Sequence, residues 1–252
     1  MTILKSALSR VVMTGALAAA VLAAPAALFA STPGAPPRPI RVTEQDIAAS
    51  NRKVAMAYDD LLSMWTNDFA KIGERFIAPR IARYDTDIIT ACGVFSRNNA
   101  EYCPRNNTIY YDEVFVAGMA KAAGQSLGTD GDMSAVGIIA HEMGHAVAMQ
   151  LGHQSSSSYE NESTADCLAG AFAQQAGREG SLEKGDLNEA FYGMSMAGDP
   201  TPRSTGNARV DAMIQARLAK QSHGTKDQRM QNFQAGLSGG PKACLDDFRN
   251  LN

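Results

Sequence analysis

The chain has 252 residues, enough for one ample domain or two small ones, and its 45% hydrophobic, 19% charged composition is that of an ordinary globular protein. The net charge is −3, with no Lys/Arg run, which excludes a nucleic-acid surface of the usual basic kind. No internal repeat is visible.

The first thirty residues read as an export signal. Lys5 and Arg10 precede an uncharged, alanine-rich run from Val11 to Ala30, and Leu28-Phe29-Ala30 offers small-residue cleavage before Ser31. The rival reading is an uncleaved anchor, because residues 11–30 are just long enough to span a bilayer. Either reading sends the remainder to the periplasm or outside the cell, and a membrane is a partner only if the segment is uncleaved. Residues 31–42 form a proline-rich linker, and residues 43–252 are read as one domain.

Thr43 reads as a helix N-cap with Asp46 three residues on. From there to about Gly73, Ile47, Val54, Tyr58, Leu61, Leu62, Trp65 and Phe69 recur at helical spacing. Trp65, the single tryptophan, is expected in the core. Between residues 77 and 111 the pattern changes to short β-branched or aromatic segments, Arg80 to Tyr84, Ala91 to Phe95 and Thr108 to Tyr111, separated by Asn- and Gly-containing turns. These predict a small antiparallel sheet. Asp112 opens a helix to about Ala123, and a glycine-rich loop runs to Gly131.

Four cysteines, Cys92, Cys103, Cys167 and Cys244, all lie in the exported part. An even count in an oxidising compartment favours disulfides, and no C-x-x-C pair points to zinc. Three connectivities are possible. The preferred one is Cys92–Cys103, closing a hairpin-like segment, with Cys167–Cys244 tying the C-terminus to the middle.

Asp132 or Ser134 is expected to cap a helix that is apolar on almost every face as far as Leu151, and such a helix is a buried one. Its polar exceptions, His141, Glu142 and His145, spell H-E-x-x-H. Residues four apart on a helix lie about 40° apart around its axis, so both imidazoles leave one face and can bind one Zn²⁺. Glu142 between them, an ionisable group on a buried helix, fits the base that works on water at such an ion. Gly144 leaves room for another segment to pack close.

A catalytic zinc needs a third protein ligand and an open position. Leu151 and Ala148 stand where the metzincin pattern needs histidine and glycine, which excludes it. His153 sits at the helix end and reads as a surface residue. The next helix opens at Ser157 in a capping-box pattern with Glu160 and runs to about Ala176. It offers Glu160 and Glu162 as ligands. Glu162 is preferred, because Asp166 one turn on suits a carboxylate that receives the free N–H of a ligand histidine. Three more helices follow, over about 182–196, 206–221 and 225–235. The whole reads as mainly α, an α+β domain with a small sheet before the metal-binding helix.

Tyr102-Cys103-Pro104, Ile109-Tyr110-Tyr111-Asp112, Ala140 to His145, Glu162-x-x-Ala165-Asp166-Cys167-x-Ala169-Gly170, Gly185-Asp186 and His223 to Arg229 occur in the order found in the neutral zinc metallopeptidases of bacteria, which the chain resembles from about Cys92 to Cys244. The stretch between His145 and Glu162 is shorter here, and residues after His145 and before Tyr102 differ. The resemblance implies a zincin-like helical domain of the gluzincin kind, with one Zn²⁺ held by His141, His145 and a downstream glutamate, in support of Glu162. It implies a hydrolase acting on a peptide or protein, with Glu142 as general base. His223 is then the candidate for stabilising an oxyanion, with Arg229 in support. Thr108 to Tyr111 is read as an edge strand pairing with substrate, and Tyr110 or Tyr111 as facing the cleft. Two other readings compete: a catalytically idle, zinc-stabilised interaction domain, and a zinc hydrolase of non-peptide amides or esters.

Overall fold

The computed structural model describes residues 40–251, which form one compact unit. The proposed export signal and most of the proline-rich linker lie outside the described residues. Among the described residues no helix is long and apolar enough to cross a membrane.

Helix α1 spans Glu44–Lys71. The Thr43 hydroxyl accepts the Asp46 N–H at 3.3 Å and the Asp46 carboxylate accepts the Thr43 N–H at 2.8 Å, a complete capping box. Val54, Ala57, Leu61, Met64, Trp65 and Phe69 recur at three- and four-residue intervals and form its buried stripe. Trp65 is fully buried, with its ring centroid 5.7 Å from that of Phe248 near the C-terminus.

Five short strands follow: β1 (Arg80–Tyr84), β2 (Ile88–Thr90), β3 (Gly93–Phe95), β4 (Ala100–Cys103) and β5 (Thr108–Asp112). The sheet is mixed rather than purely antiparallel. Its order is β1-β5-β4, with β1 parallel to β5 and β4 antiparallel to β5. The expected middle segment, 91–95, contributes instead to a separate hairpin of β2 and β3. The reason is topological: β4 and β5 are joined by a tight turn with Asn107 at φ 48°, so β4 takes one flank of β5 and leaves the other to β1. Both preferred disulfides are formed. Cys92–Cys103 ties the β2–β3 turn to β4, and Cys167–Cys244 closes a separation of 77 residues.

Asp112 caps α2 (Glu113–Leu127), its carboxylate accepting the Val114 and Phe115 N–H groups. The helix runs past the expected stop at Ala123, because Gly124 packs inside it against the Thr129 carbonyl. Helix α3 (Asp132–Gln150) is capped by neither Asp132 nor Ser134. Its N-cap is Gly131, at φ 81°, and the missing side-chain acceptor comes from elsewhere: Glu189 takes the Met133 N–H at 2.9 Å. The Ser134 hydroxyl donates to the Glu189 carbonyl at 2.6 Å.

Helix α4 (Ser158–Glu179) has half of the expected capping box: Ser157 accepts the Glu160 N–H, while the Glu160 carboxylate is engaged by the Ser155 hydroxyl. Helices α5 (Asp186–Met196), α6 (Ala208–Gln221) and α7 (Lys226–Gly239) complete the fold, α5 starting four residues later than its periodicity predicts. Helix α3 lies at the centre, packed against α1, α2, α4 and α5. Helices α4 and α7 approach until their backbones nearly touch: a Cβ on Gly170 would lie 2.0 Å from the Phe233 carbonyl oxygen, and one on Gly236 would lie 1.7 Å from that of Cys167.

Candidate metal centre

Three helices and one strand meet at the site. Helix α3 supplies His141, Glu142 and His145, α4 supplies Glu162 and Asp166, α7 supplies Arg229, and β4 supplies the Tyr102 backbone. Gly144 sets the α3–α4 distance. A Cβ there would stand 2.8 Å from the Ala165 carbonyl oxygen and 2.9 Å from the Ala165 Cα, so only glycine lets the helices come this close.

One ligand atom each from His141, His145 and Glu162 can be chosen so that all lie within 4.8 Å of one another. The two Nε2 atoms are 3.1 Å apart, and the Glu162 oxygens stand 3.1 Å from His141 Nε2 and 3.4 Å from His145 Nε2. The rings are at 89° to each other, both nitrogens aimed at the space in front of the carboxylate. Two imidazole nitrogens and a carboxylate oxygen form a donor set that suits Zn²⁺.

The electrostatics favour positive charge at this point. Burial alone would lower the His141 pKa, but hydrogen bonds to Asp166 and Glu162 overcome it and lift the pKa to about 10. Burial would raise the Glu162 carboxyl, yet its bonds to both histidines hold it well below the usual carboxylate range. A cradle that stabilises a proton here so strongly offers the same stabilisation to a cation, which would displace it.

Asp166 is fully buried and lies 2.8 Å from His141 Nδ1. That contact leaves Nε2 as the free nitrogen facing Glu162. Asp166 is in turn held by Arg229, whose Nε and a terminal nitrogen donate to it at 3.0 and 2.6 Å in a two-pronged pair. The other terminal nitrogen donates to the Ala197 carbonyl at 3.1 Å. The terminal nitrogen that holds Asp166 also stands 3.2 Å from His141 Nδ1 and 3.9 Å from a Glu162 oxygen, and Arg229 is part of the cleft lining.

Glu142 is buried next to the histidines and lines the same cleft. One of its oxygens accepts the Tyr102 N–H at 2.8 Å, and burial raises its pKa. The sequence pattern marked Tyr102-Cys103-Pro104 without a role; the contact joins residues 40 positions apart, and no local periodicity reports it.

A cleft of about 500 Å³ opens over these groups. Its lining includes Asn99 and then Ala100 to Tyr102 of β4, the edge strand, together with Met194, Met196 and Ala197. His223 reaches this cleft from the loop before α7, its N–H donating to Asp199 at 2.9 Å and its ring exposed. Two expectations fail. Thr108 to Tyr111 is not an edge strand, since β5 lies between β1 and β4. Neither tyrosine lines the cleft: the Tyr111 hydroxyl is bound to Asn51, and Tyr110 packs edge-on against Phe95. His153 stands at the cleft margin, paired with Asp247, and Glu160 is exposed and held by Ser155, so neither joins the ligand group.

The fold and this site define a class. The chain belongs to the neutral zinc metallopeptidase family: the family described as "Putative neutral zinc metallopeptidase" matches residues 38–248. It is similar to the "Uncharacterized protein YpfJ" of two Escherichia coli strains, 32% identical over 222 residues, covering 81% of this chain and 72% of each relative. No solved structure matches it.

Proposed function

We propose that this chain is an exported zinc-dependent peptidase whose ion is held by His141, His145 and Glu162. The observation that carries this reading is Glu142: a buried carboxylate beside the three donors, oriented by a backbone N–H and open to the cleft. A purely structural zinc site needs the ligands and has no use for such a group. When bound, zinc supplies Lewis-acid polarisation of a carbonyl and brings water toward a pKa of about 7.

The protein's own residues do the rest. Glu142, its pKa raised by burial, takes a proton from the attacking water and passes it to the leaving amine. Asp166 and Arg229 hold the His141 ring in register. His223, exposed in the cleft, faces the developing oxyanion. The free edge of β4 takes the extended substrate. Since the Tyr102 N–H points outward to Glu142, alternation puts the Ala100 N–H and C=O on the same outer edge, available for strand addition. The two disulfides are compatible with an exported chain.

The test is zinc content together with hydrolysis of a peptide library. Glu142→Gln should retain zinc and lose activity by roughly a hundredfold or more, the scale of a positioned general base. Equal activity in both proteins would sink the mechanism. Glu162→Ala should lose the metal, and Glu160→Ala should keep it.

A further inference from the structure

The fold brings a second group of acids together, away from the cleft. Asp130 and Asp132 flank Gly131 at the start of α3, and Asp186 and Glu189 lie in the first turn of α5. One carboxylate oxygen from each can be chosen so that all four lie within 4.8 Å of one another. Two glycines make the approach possible. Gly131, at φ 81°, has the Ala120 carbonyl oxygen 1.8 Å from where a Cβ would be, and Gly185, at φ 117°, has Thr129 Cγ2 at 2.6 Å. The Gly185-Asp186 pair is one of the motifs that the zinc site leaves unused.

Helix dipoles explain part of this. Asp132 and Asp186 open α3 and α5, where a carboxylate is favoured. Dipoles do not explain why four carboxylates converge, since each disfavours the next. Lys53 offsets some of the charge, pairing with Asp132, with Glu183 at 3.4 Å and with Asp130 at 3.9 Å. For Asp186 and Glu189 the contacts among the described residues are backbone N–H groups, from Glu183 and Met133 respectively. Glu189 is fully buried, and while one oxygen takes the Met133 N–H, the other, Oε1, has no hydrogen-bond partner at all. Glu189 belongs to this group of four, and a carboxylate oxygen sealed from water without a donor is stabilised by a cation.

We propose that Asp130, Asp132, Asp186 and Glu189 form a binding site for one calcium ion. The donors are all hard oxygens, which selects Ca²⁺ or Mg²⁺ over zinc. Four protein carboxylates on one ion suit Ca²⁺, which takes six to eight oxygens in flexible geometry, better than Mg²⁺, which keeps several waters and is held by one or two carboxylates. The ion staples the start of α5 to the start of α3, the helix that carries His141 and His145.

The experiment is a thermal melt of the full chain, stripped of metal by EDTA and dialysed, with calcium chloride titrated in. Wild type should melt at higher temperature as calcium rises. Glu162→Ala should show the same shift, because the zinc centre is elsewhere, which keeps this site separate from the proposed peptidase. In Asp130→Asn, an exposed change that leaves the core alone, and in Asp186→Asn, the midpoint should move to at least roughly tenfold higher calcium. Lys53→Met, which removes the competing cation, should lower the midpoint. No shift in wild type, or a midpoint unchanged from wild type in both Asp→Asn variants, would overturn the site. An equal response to magnesium chloride would overturn its assignment to calcium.

Discussion

At the residue scale the site is a chain of dependence. Glu162 and the two histidines face each other, Asp166 holds His141, and Arg229 holds Asp166. Asp166→Asn keeps an amide oxygen that can accept from Nδ1 of His141, but it leaves the buried Arg229 guanidinium without its paired charge and should cost stability as well. It should weaken zinc binding by roughly 10–100-fold, read by competition with a chromophoric chelator. Arg229→Met is the converse change. It leaves the Asp166 carboxylate, fully buried, without its counter-ion, which costs about 3–5 kcal/mol in urea unfolding. Equal unfolding midpoints for Arg229→Met and wild type would refute the buried pair. His141, Glu142 and His145 were legible from helical spacing on an apolar helix, and Glu162 from Asp166 one turn on and the family resemblance, none of which needs tertiary knowledge. The commitment of Arg229 to Asp166 was not, because it joins residues 63 positions apart.

At the element scale, separation between helices decides whether ligands meet. Gly144→Ala would push a methyl into the Ala165 backbone, which cannot rotate away as a side chain can. It should destabilise the protein by about 1–3 kcal/mol. It should also weaken zinc binding, because His145 and Glu162 sit on the two helices forced apart; calorimetric titration of Zn²⁺ measures it. The strands show the opposite balance of local and global control. Three of them, β1, β3 and β5, followed from β-branched or aromatic runs between turn residues; β2 and β4 did not, nor did the pairing. The tight turn after β4 makes β5 central, so the edge available to a substrate is β4. The same limit applies to helix starts: α3 takes its cap from Glu189, 56 residues further on, so the nearby Asp132 and Ser134 were misleading signals.

For the whole molecule, the longer disulfide connects the α4 core to the C-terminal segment, whose Phe248 packs on Trp65 and Phe69 of α1. The chain-entropy treatment gives about 4.5 kcal/mol for closing 77 residues and about 3 kcal/mol for closing 11. Replacing Cys167 and Cys244 together by serine should therefore lower the urea midpoint more than replacing Cys92 and Cys103, and the reverse order would show that local strain, not loop length, governs. By itself the sequence determined the class of fold, the helices and three of the strands, the family and the metal-ligand candidates. These rest on periodicity, cap chemistry and motif spacing, which act over a few residues. Tertiary structure alone decided which strand faces the cleft, what orients Glu142, what holds Asp166, and that four acids from the starts of two helices converge. Each of these depends on how closely separate backbones approach, and that distance is set by glycines such as Gly131, Gly144 and Gly185 against partners far along the chain.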